Sequence, residues 1–406
     1  MRICYLCADR GISLAKHNGA SAHFRSLVRA FSGLGHEVLV LTPSQEGSED
    51  LGVPIVPIPT PHILDALLSD ARHRAETGSK AADRARARMR VVHALGHIWN
   101  NVLVEQVLRD VLAEYCPDLL FEVYSPFGVA GGIVAKQMGV RHILNVHAPL
   151  AWEGQQYRHQ ALQEAAEVLE ETALTSAPLV VTNSRELRDD LITAGVIASK
   201  IAVVPNGVDV DLFTPNGPTY QQGLEGKTVI GFVGSLKAWH GVDLLVEAFK
   251  QLASDPRFHL LIVGDGPMAR LLHALRQEFP GQVTLVGAVP HTEVPAYIRA
   301  MDVTVAPYPQ LERFYFSPLK ILEYMAAGRA VVAASIGQIN ELIRDGETGL
   351  LVPLSDAGAL AQAIRRLAEE PDLRHALGTH AASEARQTHT WAQRVSEIIN
   401  LAQAMA

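Results

Sequence analysis

Ser317, Pro318, Lys320 and Glu323 fall in one short stretch, and their types suit the binding of a phosphate and a sugar. Ser317 reads as a helix N-cap and Pro318 as the first helical residue, where the missing N–H of proline costs nothing. Leu319, Leu322, Met325 and Ala326 then supply an apolar face at helical spacing, and Gly328 stops the helix. The free amides of such a helix start bind phosphate, with a hydroxyl from Ser317 and a positive charge from Lys320. One turn on, the carboxylate of Glu323 can accept two hydrogen bonds from a sugar diol. Plain capping, with Lys320 and Glu323 as ordinary helix charges, explains the same residues, and at this level both readings stand.

Other candidates sit where predicted strands end. His147 follows the apolar run 142–146 and precedes Ala148-Pro149, a place to donate a hydrogen bond to a sugar hydroxyl or simply to cap a strand. Glu153 lies near the same loop, and Tyr124 ends the preceding strand. Ser235, Lys237 and His240 occupy the loop after the strand TVIGFV, and the Lys237 ammonium suits a departing diphosphate. Gly264-Asp265-Gly266-Pro267 and Gly287 follow the next two strands. Lys16, Asn18 and Gly19 lie in the first loop, at the carboxyl end of a strand, where open α/β sheets bind ligands.

Several classes are disfavoured. The chain contains no H-E-x-x-H, no G-x-S-x-G elbow and no phosphate-binding G-x-x-x-x-G-K-[ST], and the first loop lacks G-x-G-x-x-G. No metal site is therefore expected. A formal charge of −8 without a long basic block argues against a nucleic-acid partner. The three cysteines, Cys4, Cys7 and Cys116, read as reduced thiols of a cytoplasmic protein, since Cys4 and Cys7 fall on opposite faces of one strand. The apolar run at the start, broken by Asp9 and Arg10, is too short for a signal peptide, and no stretch is apolar enough to span a bilayer. Peripheral contact with the inner face of the membrane needs only a small exposed patch and stays open.

The elements that must position these residues alternate as strand and helix through 406 residues, enough for two or three domains. Residues 1–42 read as a βαβ unit. Residues 70–90 read as a pair of exposed helical segments or an insertion, 91–114 and 155–176 as helices, and Ser184 as a cap. The Pro- and Gly-rich stretch 209–227 reads as a linker, after which the βα pattern restarts. The domains expected are 1–208, 226–385 and a terminal helix 386–406 packing back on the first. This gives an α/β chain of two facing halves with ligands in the crevice between them.

Read together, HNGASAHFRSLVRAFSGLGHEVLVLTP, LVVTNSRELRDDL, VVPNGVDVDLFTP, GFVGSLKAWHGVDLLVEAF, LLIVGDGP and FSPLKILEYMAAGRAVVAASIGQINELIRDGETGLLVP resemble the retaining, nucleotide-sugar-dependent glycosyltransferases of family 4. The likeness covers nearly the whole chain, and its last segment is the most specific. It implies a GT-B fold, with two facing Rossmann-like domains, an acceptor-binding first half and a nucleotide-sugar-binding second half. The implied activity is metal-independent transfer of a hexose-type sugar from a nucleotide-diphosphate sugar to a hydroxyl acceptor. On this resemblance His147, Lys237 and Glu323 are the catalytic candidates. Gly19, Ser235, His240, Gly264 to Pro267, Gly287 and Ser317 to Lys320 contact the donor, Glu323 holds its ribose, and Lys16, Asn18, Tyr124 and Glu153 lie on the acceptor side. The chain departs from the family pattern at Tyr315, which stands where the first glutamate of E-x7-E is expected. It departs again at Ser235 and His240, which replace the basic pair of G-R-x-x-x-x-K-G; altered donor contacts are implied. A sugar-nucleotide epimerase, a phosphorylase and a noncatalytic nucleotide-sugar-binding relative are the alternatives. No resident cofactor is expected.

Overall fold

The computed structural model describes residues 1–12, 14, 19–43, 50–60, 66–67, 69 and 80–405, apart from the side chains of 80–82. Lys16, Asn18 and residues 70–79 of the expected insertion therefore lie outside the described residues.

Short apolar runs bounded by turns become strands buried on both faces. The first set is β1 (Arg2–Cys7), β2 (Glu37–Thr42), β3 (Ile55–Pro57), β4 (Leu119–Val123), β5 (Arg141–Val146), β6 (Leu179–Thr182) and β7 (Ile201–Val203). They pair in the order β3-β2-β1-β4-β5-β6-β7, and every pairing is parallel. Parallel neighbours need crossovers, supplied here by α1 (Gly19–Gly33), α2 (Lys80–Tyr115), α3 (Ala130–Met138), α4 (Leu150–Arg158), α5 (Gln163–Ser176) and α6 (Arg185–Thr193).

The second set is β8 (Thr228–Val233), β9 (Phe258–Val263), β10 (Val283–Gly287), β11 (Val303–Ala306), β12 (Ala330–Ala334) and β13 (Leu350–Val352). These pair in the order β10-β9-β8-β11-β12-β13, again all parallel. Their helices are α7 (Val242–Leu252), α8 (Ala269–Glu278), α9 (Val294–Arg299), α10 (Leu319–Ala326), the single turn α11 (Ile339–Leu342), α12 (Ala357–Glu369) and α13 (Pro371–Thr388); the last helix, α14 (Trp391–Ala404), belongs from Val395 on to the first unit. Strand periodicity divides the core. Leu260 and Ile262 of β9 enter one apolar cluster, while Leu261 and Val263 enter the other, on the opposite face.

In each sheet the winding reverses between two adjacent strands, β1 and β4 in the first and β8 and β11 in the second. Loops leaving the carboxyl ends of such a pair diverge and leave a ligand crevice. This topology selects the loops 234–241 and 307–318 of the second sheet, together with those that follow β1 and β4 in the first.

The chain divides into two compact units, one of Met1–Lys16, Leu27–Pro205 and Val395–Ala406, the other of His17–Ser26 and Asn206–Arg394. The stretch 209–227, expected as a linker, is anchored on the second unit. Phe213 is buried in its core, and the Arg299 guanidinium donates to the carbonyls of Thr214 and Pro218.

Three local expectations need correction. The helix expected over 155–176 is two helices, α4 and α5, separated where His159 and Leu162 adopt positive φ. The helix expected from residue 91 already runs from Lys80, so the Arg-rich segment 80–90 continues it. Its alternating Arg and Ala are good helix formers with no cap or glycine to end the run. Ser184 does cap α6, accepting from the Leu187 amide at 3.2 Å. Ser317 does not cap α10: the N-cap position falls on Pro318, and the Ser317 side chain is committed elsewhere.

Candidate active site

The amide of Asn206 donates to Ser317 Oγ at 3.2 Å, and its side-chain nitrogen donates to the Ser317 carbonyl at 2.8 Å. Ser317 is thus a strut between the turn at 206 and the approach to α10. Asn206 lies in the sequence turn signal PNGVD, but nothing in that signal gave its partner. With Pro318 as N-cap, the first amides of α10 belong to Leu319 and Lys320, which have no helical acceptor. Tyr324 fixes this helix against the end of β8, since the Val233 amide donates to its hydroxyl at 2.7 Å.

Glu323 is buried on the same helix, and its Oε1 lies 2.8 Å from Nε2 of His291. His291 had no sequence signal; it sits in the turn after β10 and packs against Phe213, ring centroids 5.2 Å apart. The two side chains help line a small cavity of about 10 Å³, with Leu319, Gly207 and Trp391 among its walls. That volume suits one water molecule rather than a nucleoside.

Backbone contact braces the loop after β8 against the loop after β9. The Leu236 amide donates to the Asp265 carbonyl at 2.9 Å, and the Met268 amide donates to the Leu236 carbonyl at 2.9 Å. Gly264 has φ +134°, and a Cβ there would stand 2.0 Å from the Gly234 carbonyl oxygen, so only glycine allows this approach. Asp265 Oδ1 accepts from the Gly266 amide at 2.7 Å, and Pro267 leads into α8. Gly287 ends β10, its carbonyl accepting from the Gly264 amide at 2.8 Å.

Ser235, Lys237 and His240 come together around one short turn. His240 Nδ1 lies 2.6 Å from the Ser235 carbonyl and 3.4 Å from its Oγ. Burial, with nearby Lys320, lowers the His240 pKa to about 3, so the ring is neutral near pH 7. The Lys237 ammonium stacks 4.6 Å from the Trp239 ring centroid. Lys320 is different. It is 8% exposed, its Nζ has no hydrogen-bond partner among the described residues, and it lies 4.2 Å from the Phe232 ring centroid and 5.3 Å from that of Tyr308.

Tyr315, at the position of the missing glutamate, is fully buried beside Phe316, centroids 4.4 Å apart.

In the first unit, His147 leaves the end of β5 half-buried, and desolvation lowers its pKa to about 4. Tyr124 directly follows β4, and its hydroxyl pairs with Glu170 of α5, a residue the sequence did not single out. Glu170 Oε2 also accepts from the Ala151 amide at 2.9 Å, so α5 satisfies the start of α4, three residues after His147. Burial raises the Glu170 pKa to about 7. Glu153 is on α4, where its carboxylate pairs with Arg158 at 2.9 Å. Gly19 begins α1 with open space where a Cβ would point. Among the described residues no group of three or more His, Cys, Asp and Glu is placed to hold a metal ion.

Two doubly wound sheets, with polar side chains gathered at the switch point of the second, define the Rossmann-like class of nucleotide-binding architecture. Comparison with known proteins narrows the class. Residues 17–212 match the model for Glycosyltransferase Family 4 and residues 227–370 that for Glycosyl transferases group 1. The chain is 27% identical over 301 residues to alpha-maltose-1-phosphate synthase of Mycolicibacterium smegmatis, covering 68% of this chain and 76% of the relative. It is 30% identical over 255 residues to D-inositol 3-phosphate glycosyltransferase of Corynebacterium aurimucosum, covering 59% of each. HepE of Anabaena, solved in complex with UDP, superposes over 100% of both chains with a TM-score of 0.73 at 20% identity. The chain belongs to the family 4, group 1 glycosyltransferases and has the GT-B fold.

Proposed function

We propose that this chain is a retaining glycosyltransferase that moves a hexose-type sugar from a nucleotide-diphosphate sugar to a hydroxyl acceptor. The observation that carries the reading is the meeting, at the β8/β11 switch point, of the α10 amides, the loop 234–241 and the Glu323 carboxylate. The amides of Leu319 and Lys320 face the donor phosphates, and Glu323, already oriented by His291, takes the ribose hydroxyls. The second unit is the donor side and the first the acceptor side. There a neutral His147 donates to a hydroxyl of the transferred sugar, Glu170 holds the loop that carries it, and Tyr124 and Glu153 border the acceptor. Transfer proceeds on the front face. The bond from anomeric carbon to phosphate oxygen breaks, the acceptor oxygen bonds to that carbon, and its proton passes to the departing diphosphate. The protein's own charges and amides serve as the electrostatic partners of the leaving group.

A thermal-shift screen of nucleotide sugars, followed by mass spectrometry of products with candidate acceptors, tests this. A stabilising donor whose sugar appears on an acceptor with retained anomeric configuration, in chelator as well as without it, is the expected result. A protein that binds the donor but releases nucleotide with no acceptor is the noncatalytic alternative.

Among the described residues no helix is long and apolar enough to cross a membrane. A peripheral contact, from a cytoplasmic position, is the reading favoured by the outer face of α2. Val91, Leu95, Trp99 and Val102 recur at helical spacing and are 40% to 53% exposed, and the same face continues into exposed Arg84 and Arg88. No acidic residue interrupts 84–104. Apolar side chains beside arginines on one helix face suit an anionic lipid surface. Flotation with phosphatidylglycerol vesicles but not phosphatidylcholine vesicles, lost in a Leu95→Ser/Trp99→Ser variant, is the expected outcome. Equal flotation of variant and parent rejects this face as the contact.

A further inference from the structure

We propose that Lys320, rather than Lys237, is the cation that meets the donor's diphosphate in the second unit. The proposal rests on the donor-site reading above and deepens it.

A sugar diphosphate brings at least two negative charges and gains another as the glycosidic bond breaks, so its site needs a positive partner in low dielectric. Three basic side chains surround the loop after β8. His240 is neutral, because burial and the neighbouring ammonium of Lys320 oppose its protonation while its Nδ1 faces the Ser235 carbonyl. Lys237 is part-exposed and rests on the Trp239 ring, where water screens its charge. Lys320 is buried between the end of β8 and the first turn of α10, and among the described residues its ammonium has no hydrogen bond.

A buried ammonium without an acceptor costs free energy, and its rings of Phe232 and Tyr308 repay only part of that. The groups around it are Glu323 on its own helix, His240 on the loop and the ring of Tyr308, whose hydroxyl is held protonated by burial. Glu323 already pairs with His291. Lys320 therefore lacks the oxygen it would bind, and its place in the fold supplies one. The Cβ that Gly234 lacks would lie 3.1 Å from Lys320 Nζ, and the other neighbours of that position are Lys320 Cε and Phe232. Glycine at 234 keeps the loop side of the buried ammonium free of a side chain that would press on it. A short swing of the side chain past Gly234 carries the charge to an oxygen of the diphosphate. Because desolvation lowers the Lys320 pKa to about 7, its charge and hence its grip on the anion fade over the neutral range unless the anion is bound.

Isothermal titration of the full chain with uridine, UDP and UDP-glucose, and in parallel with guanosine, GDP and GDP-mannose, tests the assignment. In Lys320→Met, UDP-glucose or GDP-mannose affinity is expected to fall about ten- to a hundredfold while nucleoside affinity holds. Lys237→Ala is expected to lose far less. The melting temperature of Lys320→Met should equal or exceed the parent's, since an unpaired buried charge has been removed. In the parent, whose nucleotide-sugar diphosphate stays fully ionised, affinity should weaken between pH 6 and pH 9, and Lys320→Met should flatten that slope. Parent binding with an unchanged Lys320→Met affinity overturns the role of Lys320 alone, and so does a flat pH dependence of the parent should the variant not fold. A parent that binds neither set at millimolar concentration overturns the donor-site reading and this proposal with it.

Discussion

Nε2 of His291 lies 2.8 Å from Oε1 of Glu323, joining the turn after β10 to the helix α10. The pairing fixes the rotamer of a carboxylate that would otherwise swing on a three-bond stem, and leaves its second oxygen for a ligand.

Glu323→Ala should therefore weaken nucleotide-sugar binding about tenfold to a hundredfold, the worth of one or two charge-assisted hydrogen bonds, with little change in stability. His291→Ala should weaken it less. Their effects should not add, because the histidine acts through the glutamate. Titration of both single variants and the double variant checks this, and unchanged affinity in Glu323→Ala would refute the ribose assignment.

Gly264→Ala is expected to be costly although the residue it adds is one methyl group. The new Cβ would stand 2.0 Å from the Gly234 carbonyl oxygen at a φ of +134°, so the two loops must part. A loss of about 2–4 kcal/mol in urea unfolding is expected, together with weaker donor binding, because loop 234–241 is moved. A variant as stable as the parent would show that this loop contact is softer than its geometry implies.

The fold was legible because both sheets are all-parallel: their strands are continuous apolar runs, and the βα alternation gives the crossovers without long-range information. Strand β9 and the break at Gly328 could be read directly. Ser317 could not, because Ser-Pro carries the same signal whether the hydroxyl caps its own helix or, as here, accepts from Asn206, 111 residues away. The same limit hid His291 and Glu170. A lone histidine in a turn and a glutamate on an amphipathic helix have no pattern of their own, and only tertiary packing gives them partners. The break between α4 and α5 was missed because His159 and Leu162 take positive φ without being glycine.

Glu170 makes a pH-dependent contribution to stability. Burial raises its pKa to about 7 in the folded chain, against an ordinary value of 4.5. The folded state thus holds the proton between about pH 4.5 and pH 7 where the unfolded chain has released it. The penalty for ionising in place is absent below that window, grows through it and is full above pH 7. Glu170→Gln removes the penalty. Relative to the parent, the variant should gain up to about 3 kcal/mol on going from pH 4.5 to pH 8. Urea midpoints at the two pH values measure the gain, and a constant difference between parent and variant would contradict the shifted carboxyl.

His147 provides the complementary case. Desolvation lowers its pKa to about 4 from the ordinary 6.5, so the folded chain binds fewer protons than the unfolded chain between these values. Stability from this group is therefore complete above pH 6.5 and is lost as the pH falls through 4. The same shift keeps the ring neutral at pH 7, where it can donate one hydrogen bond but carries no charge to attract a diphosphate. Turnover should accordingly show no titration of this residue near pH 6.5. His147→Ala should lower turnover about ten- to a hundredfold, while His147→Gln, which keeps a donor, should recover part of it. In both variants the acid-side loss of stability between pH 6.5 and pH 4 should shrink. A pH–rate profile of the parent with a step near 6.5 that vanishes in His147→Gln would mean that the imidazole acts in its charged form, and the hydrogen-bonding role would be wrong.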